Sequence, residues 1–219
     1  VNGVPGLDRT GEPDLRDWIR THLDPLEERD AIQGGVRSDY DLNPQRPREV
    51  GPLTPASVLI GLVEREAGYS VLLTRRSDTL RKHTGQIALP GGRRDPGETP
   101  WETALREAQE EVGLDPAFVS LAGLSTPYQT GTGFLITPVV GFVNAGFTLT
   151  PNPDEVADVF ETPFGFLMDP QNHEQHERTL PTGERRRFYA MNYEERFIWG
   201  ATAGILRALY DRLYGAAFA

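Results

Sequence analysis

Of the six carboxylates in residues 91–114, GGRRDPGETPWETALREAQEEVGL, four have a spacing that can do chemistry. On a helix that turns about 100° per residue, Glu107, Glu110 and Glu111 point into one arc, and Glu98 lies in the loop just before them. Like charges so arranged repel by roughly a few tenths of a kcal/mol per exposed pair. A hard, oxygen-seeking cation such as Mg²⁺ or Mn²⁺ would offset that repulsion and leave positions for water and phosphate oxygens. An acidic helix of this kind more often presents a solvated face, and the neighbouring loop argues against that use. Gly91, Gly92 and Gly97, with Pro90 and Pro96, force a tight irregular turn in which backbone can approach a ligand closely. Arg106 is spaced to hold Glu98, which would tie loop and helix into one cradle.

The elements that must position these groups follow from pattern. Thr99 opens a helix with Trp101, Leu105, Ala108 and Val112 on its apolar side and Gly113 as its stop. ASVLIGLVER and YSVLLTRR read as two buried strands joined by a tight turn at EAGY. VSLAGLSTPY, FLITPVVGFV, EVADVF and RRRFYAMNY are further strands, PFGFLMD a short helical turn, and ATAGILRALYDRLYGAAF a closing amphipathic helix. Asp14 caps an N-terminal helix over LRDWIRTHLDPLEERDAI, expected to pack outside the main core and to kink or split at Pro25. The glycine- and proline-rich residues 34–55 read as a long connection. The expected organisation is a flexible tail at 1–13, a helical arm and linker at 14–50, and one α/β (α+β) domain at 51–219, a mixed sheet covered on both faces.

One motif is matched at each fixed position. Gly92, five residues, Glu98, seven residues, then Arg106-Glu107-Ala108-Gln109-Glu110-Glu111-Val112-Gly113-Leu114 resembles the Nudix box. The resemblance implies a Nudix-type α/β/α sandwich, here with an N-terminal helical extension, that hydrolyses a nucleoside diphosphate linked to another moiety. Carried over by position, Glu107, Glu110 and Glu111 are expected as metal ligands, Glu98 and Arg106 as supports of the cradle, and the carbonyl of Gly91 or Gly92 as a further ligand. The chemistry is consistent: a divalent metal lowers the pKa of a water and neutralises phosphate oxygens, while a carboxylate takes the proton. Glu107 or Glu110 is the first candidate for that base, with Glu155 and Glu161 as candidates outside the box.

Upstream, residues 72–92 reverse the local charge, with Arg75, Arg76, Arg81 and Lys82 against Asp78 alone. A basic loop balancing the acidic box is one account. The order Leu72-Leu73-Thr74-x-Arg76-Ser77-x3-Arg81-x3-Gly85-x3-Leu89-Pro90-Gly91-Gly92 resembles the stretch preceding the box in coenzyme A pyrophosphatases, with Leu89 where that pattern usually has Phe. The implied substrate is coenzyme A, cleaved to 3′,5′-ADP and 4′-phosphopantetheine, with Arg76 and Arg81 foremost as phosphate contacts, joined by Arg75 and Lys82. Phe134, Phe164 and Trp199 are candidates to line a groove for the pantetheine arm, although large aromatics more often build the core. Two rivals stand beside this reading: a Nudix hydrolase of another substrate such as ADP-ribose or a dinucleotide, and a non-catalytic nucleotide sensor on the same fold.

Composition narrows the rest. The 219 residues carry 32 Asp and Glu against 22 Lys and Arg, a net charge of −10, which disfavours nucleic acid and anionic membranes as partners. With no cysteine, disulfides, thiolate metal sites and cysteine nucleophiles are excluded. The opening residues lack a basic start followed by an apolar run, and no stretch reaches the ~20 apolar residues of a membrane helix. A soluble, cytoplasmic protein is expected, with a homodimer left open. His173 and His176 are spaced as a metal pair would be, but NHEQHERTLPTG reads as a solvated loop.

Overall fold

The computed structural model describes residues 14–27, 35–46, 51–78, 85–180 and 183–215. The tail at 1–13 and the candidate phosphate contacts Arg81 and Lys82 lie outside the described residues.

Strands β2 (Thr54–Arg65) and β3 (Gly68–Arg76) form the expected hairpin, with Arg65 opposite Gly68 across a two-residue turn. β2 also runs parallel to β8 (Phe134–Val143), from Thr54 opposite Phe134 to Val63 opposite Val143. Period-two alternation sends Leu59, Val63, Leu72, Val139 and Val143 to one face and Ile60, Leu62, Val71, Leu73, Val140 and Phe142 to the other. Two cores result, because a strand buried on both sides needs a cover on each. Helix α2 (Pro100–Val112) covers the first face through Ala104, Ala108 and Val112. Helix α4 (Ala201–Tyr214) covers the second with α1 (Leu15–His22) and the one-turn α3 (Phe164–Leu167). The expected α/β/α sandwich with a mixed sheet is observed.

Shorter strands complete the main sheet. β1 (Arg37–Ser38) pairs in parallel with β7 (Tyr128–Gln129), β4 (Ile87–Ala88) joins β3, β5 (Gly91–Arg93) joins β2, β6 (Val119–Leu124) joins β8, and β9 (Val156–Pro163) lies along β3. A separate antiparallel sheet contains β10 (Glu174–Thr179), β11 (Arg185–Tyr193) and β12 (Arg196–Trp199).

Two expectations need correction and one is met in part. Helix α1 ends at His22, ahead of Pro25, in keeping with a break there: Leu23 is extended, and Asp24 bridges to Leu124, while residues 28–32 of the expected helix lie outside the described residues. It is also not outside the core, since Leu15 and Ile19 are buried with α4 and Trp18 stacks on Tyr214 at 6.4 Å. Its sequence looked peripheral because only one narrow stripe is apolar. The polar run after Asn172 is not a loop but strand β10, exposed on both faces and therefore without hydrophobic alternation. No helix among the described residues is long and apolar enough to cross a membrane.

Candidate active site

The site begins with how α2 starts. Thr99 caps it reciprocally with Glu102: Glu102 N–H donates to Thr99 Oγ1 at 3.3 Å, and Thr99 N–H donates to Glu102 Oε2 at 2.8 Å. Pro100 supplies the helical φ of the first turn. This fixes the loop immediately upstream, so Glu98 faces Arg106 two turns along the helix. Arg106 donates from Nε to Glu98 Oε1 at 2.7 Å and from Nη2 to Glu98 Oε2 at 3.1 Å. Its Nη1 donates to Glu107 Oε1 at 2.8 Å and to Glu110 Oε2 at 3.0 Å, and Nη2 also reaches the Arg93 carbonyl at 3.1 Å. Glu98 further accepts from Thr103 Oγ1 and the Asp95 amide, and the Arg106 guanidinium above all holds its pKa down at about 2. Loop and helix are thus one unit, as the spacing suggested.

The three helix glutamates are not equivalent. Glu107 and Glu111, one turn apart, turn inward with side chains 16% and 6% exposed, whereas Glu110 stands outward at 57%. Glycine at two consecutive positions lets β5 lie close against β2 on one side and the inward Glu107 on the other. A Cβ on Gly91 would meet the Ser57 carbonyl oxygen at 2.3 Å, and one on Gly92 would meet the Glu107 carboxylate at 2.4 Å. The Gly91 amide donates to Glu111 Oε2 at 3.1 Å, and Arg76 Nη1 stands 3.8 Å from Glu111 Oε1. Burial pushes Glu111 up to about 7 against the pull of that amide and of Arg76. Burial also raises Glu107, with Arg106 opposing.

A fourth acidic group arrives from outside the box. Gly113 ends α2 at φ 70°, and the chain returns over that end: Thr150 N–H donates to the Val112 carbonyl and Asn152 N–H to that of Glu111. This delivers Glu155, whose charge adds to the upward shifts of both Glu107 and Glu111. Asn152 Nδ2 contacts its Oε1 at 3.4 Å. Glu161 is elsewhere: Arg65, at the hairpin turn remote from Arg76, binds it through two nitrogens, with Nε to Oε2 at 3.0 Å.

Arg75 and Arg76 part company because consecutive strand residues face opposite ways. Arg76 lies on the α2 side beside Glu111, and its buried Nε has no hydrogen-bond partner. Arg75 lies on the other side, paired with Asp78 at 3.2 Å and bordering a cleft with Ile87 and Trp199. Phe164 is wholly buried in the core and lines no groove, while Phe134 is half-buried beneath the Arg93 guanidinium at 5.6 Å. His173 is buried, with Nε2 2.7 Å from the Leu167 carbonyl oxygen, and His176 Nε2 is 2.6 Å from Glu174 Oε2, so the two serve different neighbours.

The donor set suits a hard dication. Glu107 and Glu111 are inward and acid-only; burial above all raises their pKa values, with the Glu155 charge adding to it, and a divalent cation would offset both by favouring the ionised carboxylates. Among the described residues, no three acidic or imidazole groups converge as a ligand cage; Glu110 stands outward on Arg106, whose Nη1 it shares with Glu107. The sequence missed Asn152 and the Ser57 hydroxyl, which is buried without a partner on the residue paired with Gly92. Neither belongs to a local pattern that spacing could reveal.

An acid-lined cradle at the edge of an α/β/α sandwich is the arrangement these residues define. The chain belongs to the Nudix family: the NUDIX domain model matches residues 53–182. A protein of Yersinia enterocolitica described as an uncharacterized Nudix hydrolase NudL is 43% identical over 162 residues, covering 72% of this chain and 80% of its own length. One of Pectobacterium atrosepticum with the same description is 41% identical over 165 residues, covering 74% and 84%. Among solved structures, a MutT/nudix family protein from Enterococcus faecalis aligns with a TM-score of 0.47 at 16% identity, over 78% of this chain and 66% of that one. The box resemblance of residues 92–114 thus sits within a family match several times its length.

Proposed function

We propose that this Nudix hydrolase cleaves the pyrophosphate bond of coenzyme A, releasing 3′,5′-ADP and 4′-phosphopantetheine, with Mg²⁺ or Mn²⁺ as cofactor. The observation that carries the reading is Arg76, the arginine of the stretch resembling coenzyme A pyrophosphatases, at 3.8 Å from Glu111 in the box helix. A guanidinium beside an inward carboxylate suits an anionic diphosphate brought to a metal-holding carboxylate pair.

In this reading Glu107 and Glu111 would hold the metal, with Glu110 as a candidate third ligand. The bound dication supplies charge neutralisation of the phosphate oxygens and acidification of water. Arg76 binds and orients the diphosphate. Glu155 takes the proton of the attacking water, its oxygen bonds to phosphorus, and the bridging P–O bond breaks with its electron pair leaving on the departing phosphate. Glu155 is preferred to Glu161 because Arg65 occupies both oxygens of the latter. Glu98 and Arg106 position Glu107 without touching substrate. Arg75 no longer belongs with the phosphate contacts, since it faces the opposite side of β3.

The test is product analysis after incubation with coenzyme A, dephospho-coenzyme A and ADP-ribose, each with Mg²⁺, with Mn²⁺ and with chelator. Metal-dependent release of 3′,5′-ADP and 4′-phosphopantetheine, faster than turnover of the other two, is expected. Cleavage of ADP-ribose in preference to coenzyme A would retain the metal site and overturn the substrate.

A further inference from the structure

The sheet of β10, β11 and β12 has an inner and an outer face. Met191 and Ile198 point inward and are buried with α4. The outer face carries rings: His176 is opposite Phe188, Trp199 opposite Ala190 and Phe197 opposite Asn192. These rings form a continuous array, Phe188 to Trp199 at 5.4 Å and edge-on, Phe197 to Trp199 at 6.4 Å and 22° from parallel, and His176 to Phe197 at 5.6 Å. Phe197 is 40% exposed, the only large hydrophobic side chain so exposed among the described residues. Rings packed edge to face and left open on one side are unlike a core, which closes over its aromatics.

The array borders a cleft of about 790 Å³, walled by Arg75 and Ile87 on one side and by Glu194, Glu195, Phe197 and Trp199 on the other. That volume is in the range of small-molecule sites. The charges of its described residues do not favour a phosphate. Arg75 is paired with Asp78, and Arg196 is paired with Asp158 at 2.8 Å while stacked over Phe160 at 3.6 Å. Among the described residues, Glu194 and Glu195 then leave the rim acidic. Glu194 is the only described non-glycine residue at positive φ, 53°, in the turn that brings both carboxylates to this rim. A flat, uncharged ring with amino donors at its edge matches aromatic faces rimmed by acceptors.

The cleft and the carboxylate cradle share one end of β3. Arg75 opens on the cleft, and Arg76, the next residue, reaches Glu111. Arg76 N–H donates to the Gln86 carbonyl, and Gly85 N–H to that of Arg76, so this end of the strand is braced where it separates the two.

We propose that the outer face of the β10–β12 sheet is a nucleobase platform, on which the base of a nucleoside diphosphate substrate stacks against Phe197 and Trp199 with its amino edge toward Glu194 and Glu195. This rests on the reading of the cradle as a nucleoside diphosphate hydrolase, and it names where the nucleoside half is read.

The test uses AMP and ribose 5-phosphate as probes, with chelator present so that the carboxylates hold no metal. Dissociation constants are measured by ligand-observed NMR for the wild type, Phe197→Ala and Phe197→Trp, with folding checked by thermal denaturation. AMP binding about tenfold weaker in F197A and restored in F197W is expected, with ribose 5-phosphate indifferent to both. Equal AMP binding by wild type and F197A, or no saturable AMP binding by the wild type, would overturn the platform. A wild-type dimer that dissociates in F197A while AMP binding is unchanged would assign the face to a second copy and also overturn it. If AMP behaves as expected while coenzyme A is not cleaved, the platform stands and only the coenzyme A assignment falls.

Discussion

A Cβ on Gly92 would stand 2.4 Å from the carboxylate of Glu107, so the loop backbone and the inward glutamate occupy space that no other residue type would leave them. Gly92→Ala is expected to push Glu107 aside while leaving the core intact. A displacement of about 1 Å at a reacting centre can cost ~100-fold. Steady-state kinetics should show a fall of that order, with the thermal midpoint moved by only a few degrees.

Glu111 is buried on the inner side of α2 and touches the Gly91 amide. Glu111→Gln is nearly isosteric but removes one of the two inward charges. Activity should fall at least ~100-fold, and the thermal stabilisation that the proposed metal, supplied as Mn²⁺, is expected to give the wild type should be largely lost. Full activity in this variant would remove Glu111 from the metal site.

Arg106 holds Glu98 through a two-pronged contact that lysine cannot reproduce. Arg106→Lys should destabilise the fold by about 1–3 kcal/mol, read from urea midpoints. The pair also predicts a pH dependence. Glu98 has a folded pKa of about 2 against an ordinary value of 4.5, so its contribution is fully present above the ordinary value and is lost as pH falls through that window. Between pH 5 and pH 3 the wild type should lose more stability than Glu98→Gln.

His173 offers an independent acid response. Burial lowers its pKa from 6.5, and its Nδ1 is buried without a partner, so the folded state favours the neutral ring. The Tyr210 ring packs on it edge-on at 5.3 Å, and Arg207 disfavours its charging while Asp211 and Asp169 favour it. Below about pH 6.5 the unfolded chain binds a proton that the folded chain resists, so stability falls as pH falls. Glu111, raised to about 7, pulls the other way as it protonates, so the readout is taken in a Glu111→Gln background: thermal midpoints from pH 7.5 to 5.5 should decline there, and adding His173→Gln should flatten that decline.

Ile19 is 1% exposed between the N-terminal segment and the main core. Ile19→Ala should cost roughly 2–4 kcal/mol in a single cooperative transition, as expected of a core residue. A loss under ~0.5 kcal/mol, or a separate early transition, would mean that α1 is an independent arm.

What the sequence by itself determined is what short-range physics controls. Thr99 and Glu102 cap α2 within one turn, Gly113 stops it, and the eight-residue interval brings Arg106 to Glu98, all without help from distant chain. The β2–β3 hairpin was equally legible, because its two apolar runs meet across a two-residue turn. Tertiary structure alone decided the rest. One arc of three glutamates became an inward pair and an outward Glu110 only when β5 packed against α2. One basic stretch became two sites because the sheet separates Arg75 from Arg76. Glu155 reached the cradle through a return of the chain over the end of α2, and the ring array formed from strands whose polar residues hide their pairing. Spacing in sequence encodes contacts one or two turns apart. Contacts made by packing two distant segments depend on which faces are buried together, and that is set by the whole chain at once.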